Sequence, residues 1–125
     1  MNEKYAEAIN NSTRALSYDP TALNYQQRGI LYFKSMEYEK AVADLTEAVK
    51  LAPKIAWHYE KRALAYEALG KKKEAQADNE KAEDIKTEKQ KSNKIKPYLG
   101  KLTPVLSQIE SCLIMSGSAN FLHFY

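Results

Sequence analysis

The sequence has few of the residues on which many other folds depend. Its 125 residues include one cysteine, four glycines and four prolines. A lone cysteine, Cys112, forms neither an internal disulfide nor a cysteine metal cluster, which favours an intracellular, cytoplasmic protein. Few glycines and prolines leave little material for turns, so a many-stranded β fold is excluded and long helices are favoured.

Charge and hydrophobicity narrow the class further. Hydrophobic residues make up 44% and charged residues 28% of the chain, so neither a disordered nor a membrane-embedded protein fits. The net charge of +3 is too small to indicate a nucleic-acid binder. The first residues, Met1 to Tyr5, lack the apolar run of a secretory signal. We therefore expect neither nucleic acid nor a membrane as partner.

An internal repeat is the strongest signal in the sequence. Six residues recur 34 positions later: Tyr25, Arg28, Tyr32, Ala41, Asp44 and Ala48 return as Tyr59, Arg62, Tyr66, Ala75, Asp78 and Ala82. Four residues near the start precede their counterparts by 33 positions: Tyr5, Ala8, Ala15 and Pro20 match Tyr38, Ala41, Ala48 and Pro53. A ladder of this kind predicts a repeated supersecondary unit.

Each period predicts two helices. Tyr25, Gly29 and Tyr32 share one face of a first helix, and Ala41 and Leu45 begin the same pattern in a second. The connections at 34–37 and 69–72 are short enough to make each pair an antiparallel hairpin. Small residues, Gly29 and Ala63, are expected where two helices nearly touch. The fold class predicted is all-α, an α-hairpin solenoid.

The spacing resembles the tetratricopeptide repeat, W-x2-L-G-x2-Y followed by A-x3-F, A and P. Residues 22–55 and 56–89 match as full repeats, and residues 4–18 match a second helix alone. Asn79 departs from the pattern, as does the lack of a proline after Ala82. The resemblance implies a superhelix of about two and a half repeats that binds other proteins and catalyses nothing.

Beyond Ala82 the apolar stripe stops and lysines dominate. We expect the first domain, residues 1–96, to end in a lysine-rich helical extension that Pro97 terminates. A solvated helix end is one interpretation of this extension. The alternative is a basic surface, within Lys71–Lys101, for RNA, a membrane surface or an acidic partner.

The segment 97–125 has a different composition. Thr103 and Pro104 fit the start of a final amphipathic helix, which we expect to cap the last repeat. Its apolar face would consist of five residues: Leu99, Leu102, Leu106, Ile109 and Leu113. Residues 116–118 are expected to end it, leaving an apolar tail at 121–125. A membrane anchor and a loosely ordered tail are the rival interpretations.

No catalytic or metal-binding pattern is apparent. His58 and His123 have no neighbouring carboxylate pattern, and we expect His58 on a partly exposed helix surface. Nucleotide-binding, hydrolase and zinc-protease motifs are all missing from the sequence. The chain is therefore predicted to be no enzyme and to need neither a metal nor another cofactor.

A candidate partner site lies on the side of each first helix that faces away from its packing face. In the resembling family this is the concave face, which holds extended peptides or partner helices. A binding groove needs a few apolar anchors and a few directional polar groups, and this face supplies both. The partner-binding residues predicted are Leu23, Gln27, Ile30, Lys34, Trp57, Lys61 and Leu64.

Two further hypotheses concern partners. One subfamily uses the concave face as a carboxylate clamp for chaperone tails; the matching positions here are Gln27, Lys61 and Trp57, which implies a partial clamp and a chaperone-tail adaptor. Separately, residues 4–18 carry an apolar stripe that a first helix would normally cover. That stripe predicts either self-association through the N-terminal helix or a chain that is a piece of a longer repeat array. The members of the stripe are Tyr5, Ala8, Ile9, Ala15 and Leu16.

Overall fold

The structure is a computed structural model that describes residues 2–115, with side chains placed for most residues up to 98. Five helices occupy this part of the chain: α1 (Glu3–Tyr18), α2 (Ala22–Lys34), α3 (Tyr38–Leu51), α4 (Ala56–Ala68) and α5 (Lys72–Met115). The described residues up to 87 form one compact unit, and those from 88 onward belong to a second. The predicted all-α solenoid of helical hairpins is confirmed.

Capping side chains and prolines explain where helices α1 to α3 begin or end. The Asn2 side chain accepts a hydrogen bond from the Lys4 backbone N–H at 3.2 Å, and Thr21 does the same for Asn24 at the start of α2. α1 and α3 end directly before Asp19 and Ala52, because the proline that follows each of these residues disfavours its helical conformation. Helices α1 to α4 are therefore separated by short connections and pack as antiparallel neighbours.

The helices of a repeat approach each other closely at a small residue. A Cβ atom added at Gly29 would lie 3.1 Å from Leu45 Cγ and 3.4 Å from Asp44 Cβ, so α2 and α3 leave no room for a side chain there. Ala63, the equivalent residue of α4, is 1% exposed. The expectation that these positions lie at helix contacts is confirmed.

An arginine–aspartate pair joins the two helices of each full repeat. Arg28 donates two hydrogen bonds to the Asp44 carboxylate, each at 2.7 Å, and Arg62 binds Asp78 in the same way at 2.7 and 2.6 Å. The aspartates are buried and their partners nearly so. Carboxylate hydrogen bonds raise the pKa of both arginines, although burial acts in the opposite direction. Each pair is thus a bidentate, charge-assisted clamp between helices.

Each arginine also reaches the preceding repeat. Arg28 donates to Thr13 Oγ1 and Arg62 donates to Thr46 Oγ1, both at 3.2 Å. Tyrosine rings lie beneath the guanidinium groups, at 5.6 Å from Arg28 to Tyr32 and at 5.7 and 5.8 Å from Arg62 to Tyr59 and Tyr66. A single side chain therefore ties three helices together, which explains why arginine recurs with the tyrosines.

The prediction that His58 lies on a partly exposed helix surface is wrong. His58 is 1% exposed, and its Nε2 lies 2.8 Å from Gln26 Oε1 on α2. Its Nδ1 is buried and, among the described residues, has no hydrogen-bond partner. Burial lowers the pKa of His58, and the backbone of Ala52 offsets part of the shift. Burial between α2 and α4 therefore disfavours the charged form of this imidazole.

The exposed face of α1 is less apolar than the sequence pattern indicates. Ile9 and Leu16, the two largest aliphatic members of the stripe, are buried, whereas Ala15 is exposed. The cause is α2, which packs on α1 and covers the side that carries both residues. The apolar area that self-association through α1 would use is correspondingly small.

The last repeat has a polar outer face. In the preceding repeat Phe33, Val42, Leu45 and Val49 lie on the corresponding side, where α3 packs on α4. Their counterparts 34 residues later are Glu67, Gln76, Asn79 and Glu83, which line an open depression. This side of the last repeat is therefore lined by more polar residues than the corresponding side of the repeat before it.

The predicted helix boundaries at Pro97 and Thr103 are wrong, because α5 runs unbroken from Lys72 to Met115. A proline inside a helix removes one hydrogen bond and costs about 3 kcal/mol. The helix continues although Gly100 and Pro104 follow, and the side chains from Lys86 to Tyr98 are exposed, so water can reach the carbonyl group that loses its donor at Pro97. The predicted helix end at 116–118 and the apolar tail at 121–125 lie outside the described residues.

We predict that Ala63→Leu lowers the free energy of unfolding by about 1–3 kcal/mol, because the added atoms overpack a helix contact. Ala68→Leu is the matched control, since Ala68 is an exposed residue of the same helix; its effect should stay within about 0.5 kcal/mol. Thermal and denaturant melts measure both. Equal melting of the Ala63→Leu variant and the wild type would contradict the close approach.

Asp78→Ala should cost about 3 kcal/mol of unfolding free energy, because Arg62 loses its carboxylate partner in a largely buried position. The exposed pair of Glu47 and Lys50, joined at 2.8 Å, provides the control. Glu47→Ala should change stability by no more than about 1 kcal/mol. Urea denaturation measures the loss of unfolding free energy in both variants. Similar losses would show that the Arg62–Asp78 clamp contributes no more than an exposed ion pair.

His58 makes stability depend on pH. Because its pKa is lower in the folded than in the unfolded protein, acid favours the unfolded chain. The His58 contribution is thus intact above the unfolded pKa of about 6.5 and is lost as the pH falls toward the folded value. His58→Asn, which installs the residue found at the equivalent position 24, should flatten this part of the melting-temperature profile. An unchanged slope between wild type and variant would contradict the assignment.

Candidate functional site

The first helices of the two full repeats, α2 and α4, form an apolar groove. The groove encloses about 390 Å³. Seven residues line it: Ile30, Phe33, Lys34, Leu45, Trp57, Lys61 and Leu64. Ile30 and Trp57 are half-buried, and Leu64 remains 43% exposed. The groove therefore combines apolar walls with two lysines.

The geometry around Trp57 is organised by its neighbours on α4. Lys61, one helical turn later, places Nζ 5.5 Å from the centroid of the indole ring, a cation–π contact. The imidazole of His58 meets the same indole edge-on, with the ring centroids 5.9 Å apart. His58 is anchored to Gln26, so the backbone that carries Trp57 is fixed against α2. The indole of Trp57 therefore contacts the His58 ring and has the Lys61 ammonium group over its face.

The structure brings together five of the seven residues that the sequence predicts for a partner site. Ile30, Lys34, Trp57, Lys61 and Leu64 line the same groove. The other two lie on α2 and are exposed, outside the groove lining: Leu23 and Gln27. They occupy the positions that Trp57 and Lys61 hold in the next repeat.

Two groove residues are missed by the sequence argument. Phe33 lies one position before Lys34 and stacks edge-on against Tyr38, with centroids 5.3 Å apart. Leu45 comes from the second helix, α3, and is 1% exposed, so it forms the floor of the groove. A helical wheel of α2 and α4 alone contains no information on α3. The signal for Phe33 was its i, i+3 relation to Ile30.

The chemistry available in this groove is recognition. Its apolar surface has the chemistry to contact an aliphatic or aromatic side chain, and its lysines have the charge to pair with carboxylates. Among the side chains that the structure describes, no three of His, Cys, Asp or Glu lie close enough to hold a metal ion. None of the helices described is both long and apolar enough to cross a membrane.

Sequence comparisons identify relatives of this chain. The model of the family described as "Tetratricopeptide repeat" matches residues 22–55. A "58 kDa phosphoprotein" of Plasmodium berghei is 34% identical over 85 residues, which is 67% of this chain. The chain spans only 20% of the length of that relative.

Solved structures show the same architecture. The structure described as the second TPR of Spaghetti (RPAP3) bound to the HSP90 peptide SRMEEVD is 34% identical, with a TM-score of 0.63 over 66% of this chain and 77% of the other. The first TPR of the same protein, bound to the same peptide, is 28% identical, with a TM-score of 0.65 over 78% and 82%. Its repeat pattern, its hairpin fold and these similarities together show that the chain belongs to the tetratricopeptide repeat family.

Proposed function

We propose that this chain is a non-catalytic protein-interaction module that holds a short peptide segment, or a partner helix, in the groove between α2 and α4. The observation that carries the proposal is the grouping of five apolar side chains and two lysines in one concavity. Grooves of several hundred Å³ with apolar walls and a few polar groups are typical ligand sites. Tetratricopeptide repeats are in general a protein-interaction fold without catalytic activity.

The energetic centre of this site is Trp57. Tryptophan is enriched among residues whose removal costs most of the binding energy, and it acts best when partly buried in the middle of a contact. Trp57 meets that description, because its ring is half-buried and bounded by His58 and Lys61. A bound side chain would cover the remaining face and exclude water from the indole.

A chaperone-tail adaptor is the second candidate function. It is favoured by two similar structures, both described as bound to the HSP90 peptide SRMEEVD. This heptapeptide offers carboxylates for Lys34 and Lys61 and apolar side chains for the groove. On this hypothesis the chain, acting as a partial clamp, links a chaperone to other proteins.

The test of the main proposal uses the single tryptophan of the chain as an internal reporter. Heptapeptides selected from a displayed library should change Trp57 fluorescence on binding. Trp57→Ala should cost at least about 2 kcal/mol of affinity, measured by the polarisation of labelled peptides, with helicity unchanged. Leu23→Ala is the matched control, because Leu23 is the equivalent residue of the first repeat and lies outside the groove.

Two results would contradict this proposal. Equal losses from Leu23→Ala and Trp57→Ala would show that the groove between α2 and α4 is not the site. Binding that survives Trp57→Ala and falls steeply with salt would instead point to the exposed lysines of α5, as expected for RNA or an anionic membrane surface. Those lysines are Lys86, Lys89, Lys91, Lys94 and Lys96.

A further inference from the structure

We propose that the groove recognises an internal peptide segment in which an apolar side chain is followed or preceded by an acidic one, and that recognition does not require a free carboxyl terminus. This inference rests on the proposed function and specifies its ligand. Trp57 and Lys61 act in it as one reading unit: the indole contacts the apolar side chain and the ammonium group contacts the neighbouring carboxylate.

The chain contains its own control for this assignment. The arginine and aspartate of the clamp are identical in both full repeats. The concave positions differ, since Leu23, Asn24 and Gln27 of α2 become Trp57, His58 and Lys61 of α4. Both sets of residues are compatible with the fold, because both repeats form the same helical hairpin. His58 is buried, so the differences available for recognition are those at Trp57 and Lys61.

The three differing residues of α4 are physically coupled. His58 is buried and bound to Gln26, and its ring lies against the edge of Trp57. Lys61 lies over the indole, so its ammonium group is positioned before any ligand arrives. Prepositioned groups lose less conformational entropy on binding. A peptide would find the cation and the apolar surface side by side.

The balance of charge and apolar surface argues against a site for a chain terminus. Five of the seven lining residues are apolar, and the two cations among them are Lys34, which is exposed, and Lys61, which already contacts Trp57. Strong carboxylate binding uses several converging donors or a bidentate arginine. With one prepositioned ammonium group beside an apolar pocket, the apolar side chain supplies most of the affinity and the carboxylate adds selectivity.

Four synthetic peptides test the inference, each titrated against the full chain by Trp57 fluorescence and polarisation. They are SRMEEVD as free acid, the same peptide as carboxamide, a form with Met and Val replaced by alanine, and a form with both Glu replaced by glutamine. The carboxamide should bind within about threefold of the free acid, since exposed charge pairs contribute little. Loss of Met and Val should weaken binding at least about tenfold. Loss of both Glu should weaken it by a smaller factor.

Chain variants connect these effects to the reading unit. Trp57→Leu and Lys61→Gln install the residues of the first repeat and should preserve the fold. Lys61→Gln should remove the difference between the Glu and Gln peptides, and Trp57→Leu should reduce the difference between the Met/Val and alanine peptides. Gln27→Ala is the control for Lys61, because it changes the equivalent residue outside the groove.

The outcomes separate this inference from the proposed function. If the free acid binds and the carboxamide loses most of the affinity, the inference is overturned while peptide binding in the groove stands. If no form of the heptapeptide binds, the inference and the chaperone-tail candidate both fail, and the library selection alone decides the proposed function. If Lys61→Gln leaves the Glu preference intact, Lys61 does not read the carboxylate.

Discussion

The clamp between arginine and aspartate is the interaction on which the stack depends. Arg62 meets the Asp78 carboxylate at two points, donates to Thr46 of the preceding repeat and lies against tyrosine rings. A guanidinium group suits this role because it is planar, always charged and able to donate in several directions at once. Each clamp joins the two helices of its own hairpin and also contacts the preceding repeat. These buried contacts therefore help to set the spacing between α2 and α4.

Because the clamps set the spacing between α2 and α4, they also shape the groove between these two helices. The clamp residues lie on the faces of α2 and α4 that pack against other helices. The concave faces of α2 and α4 can therefore carry residues that bind a partner. His58 links the two requirements, because it is buried as a structural residue and also touches Trp57. The contact between His58 and Trp57 therefore joins a residue of the core to a residue of the groove.

Periodicity made the repeated elements predictable, and it also explains what was missed. The 34-residue ladder contains both Arg62 and Asp78, but a ladder does not say that two residues 16 positions apart form an ion pair. His58 was misplaced because it has a different residue, Asn24, at the equivalent position, so the repeat offered no comparison. Pro97 misled for another reason: a proline inside a helix is costly but tolerated, and α5 continues through it along an exposed stretch where water can reach the freed carbonyl group.

The sequence by itself determined the helical hairpins, their order and five of the seven residues that line the groove, because helix periodicity and repeat spacing are local properties of the chain. Only the tertiary structure decided which side chains meet across helices: Leu45 as the floor of the groove, Gln26 as the partner of His58, and α2 as the cover for Ile9 and Leu16. Such contacts depend on how two helices are rotated about their axes when they pack, and that rotation is set by the sum of many small packing and polar energies.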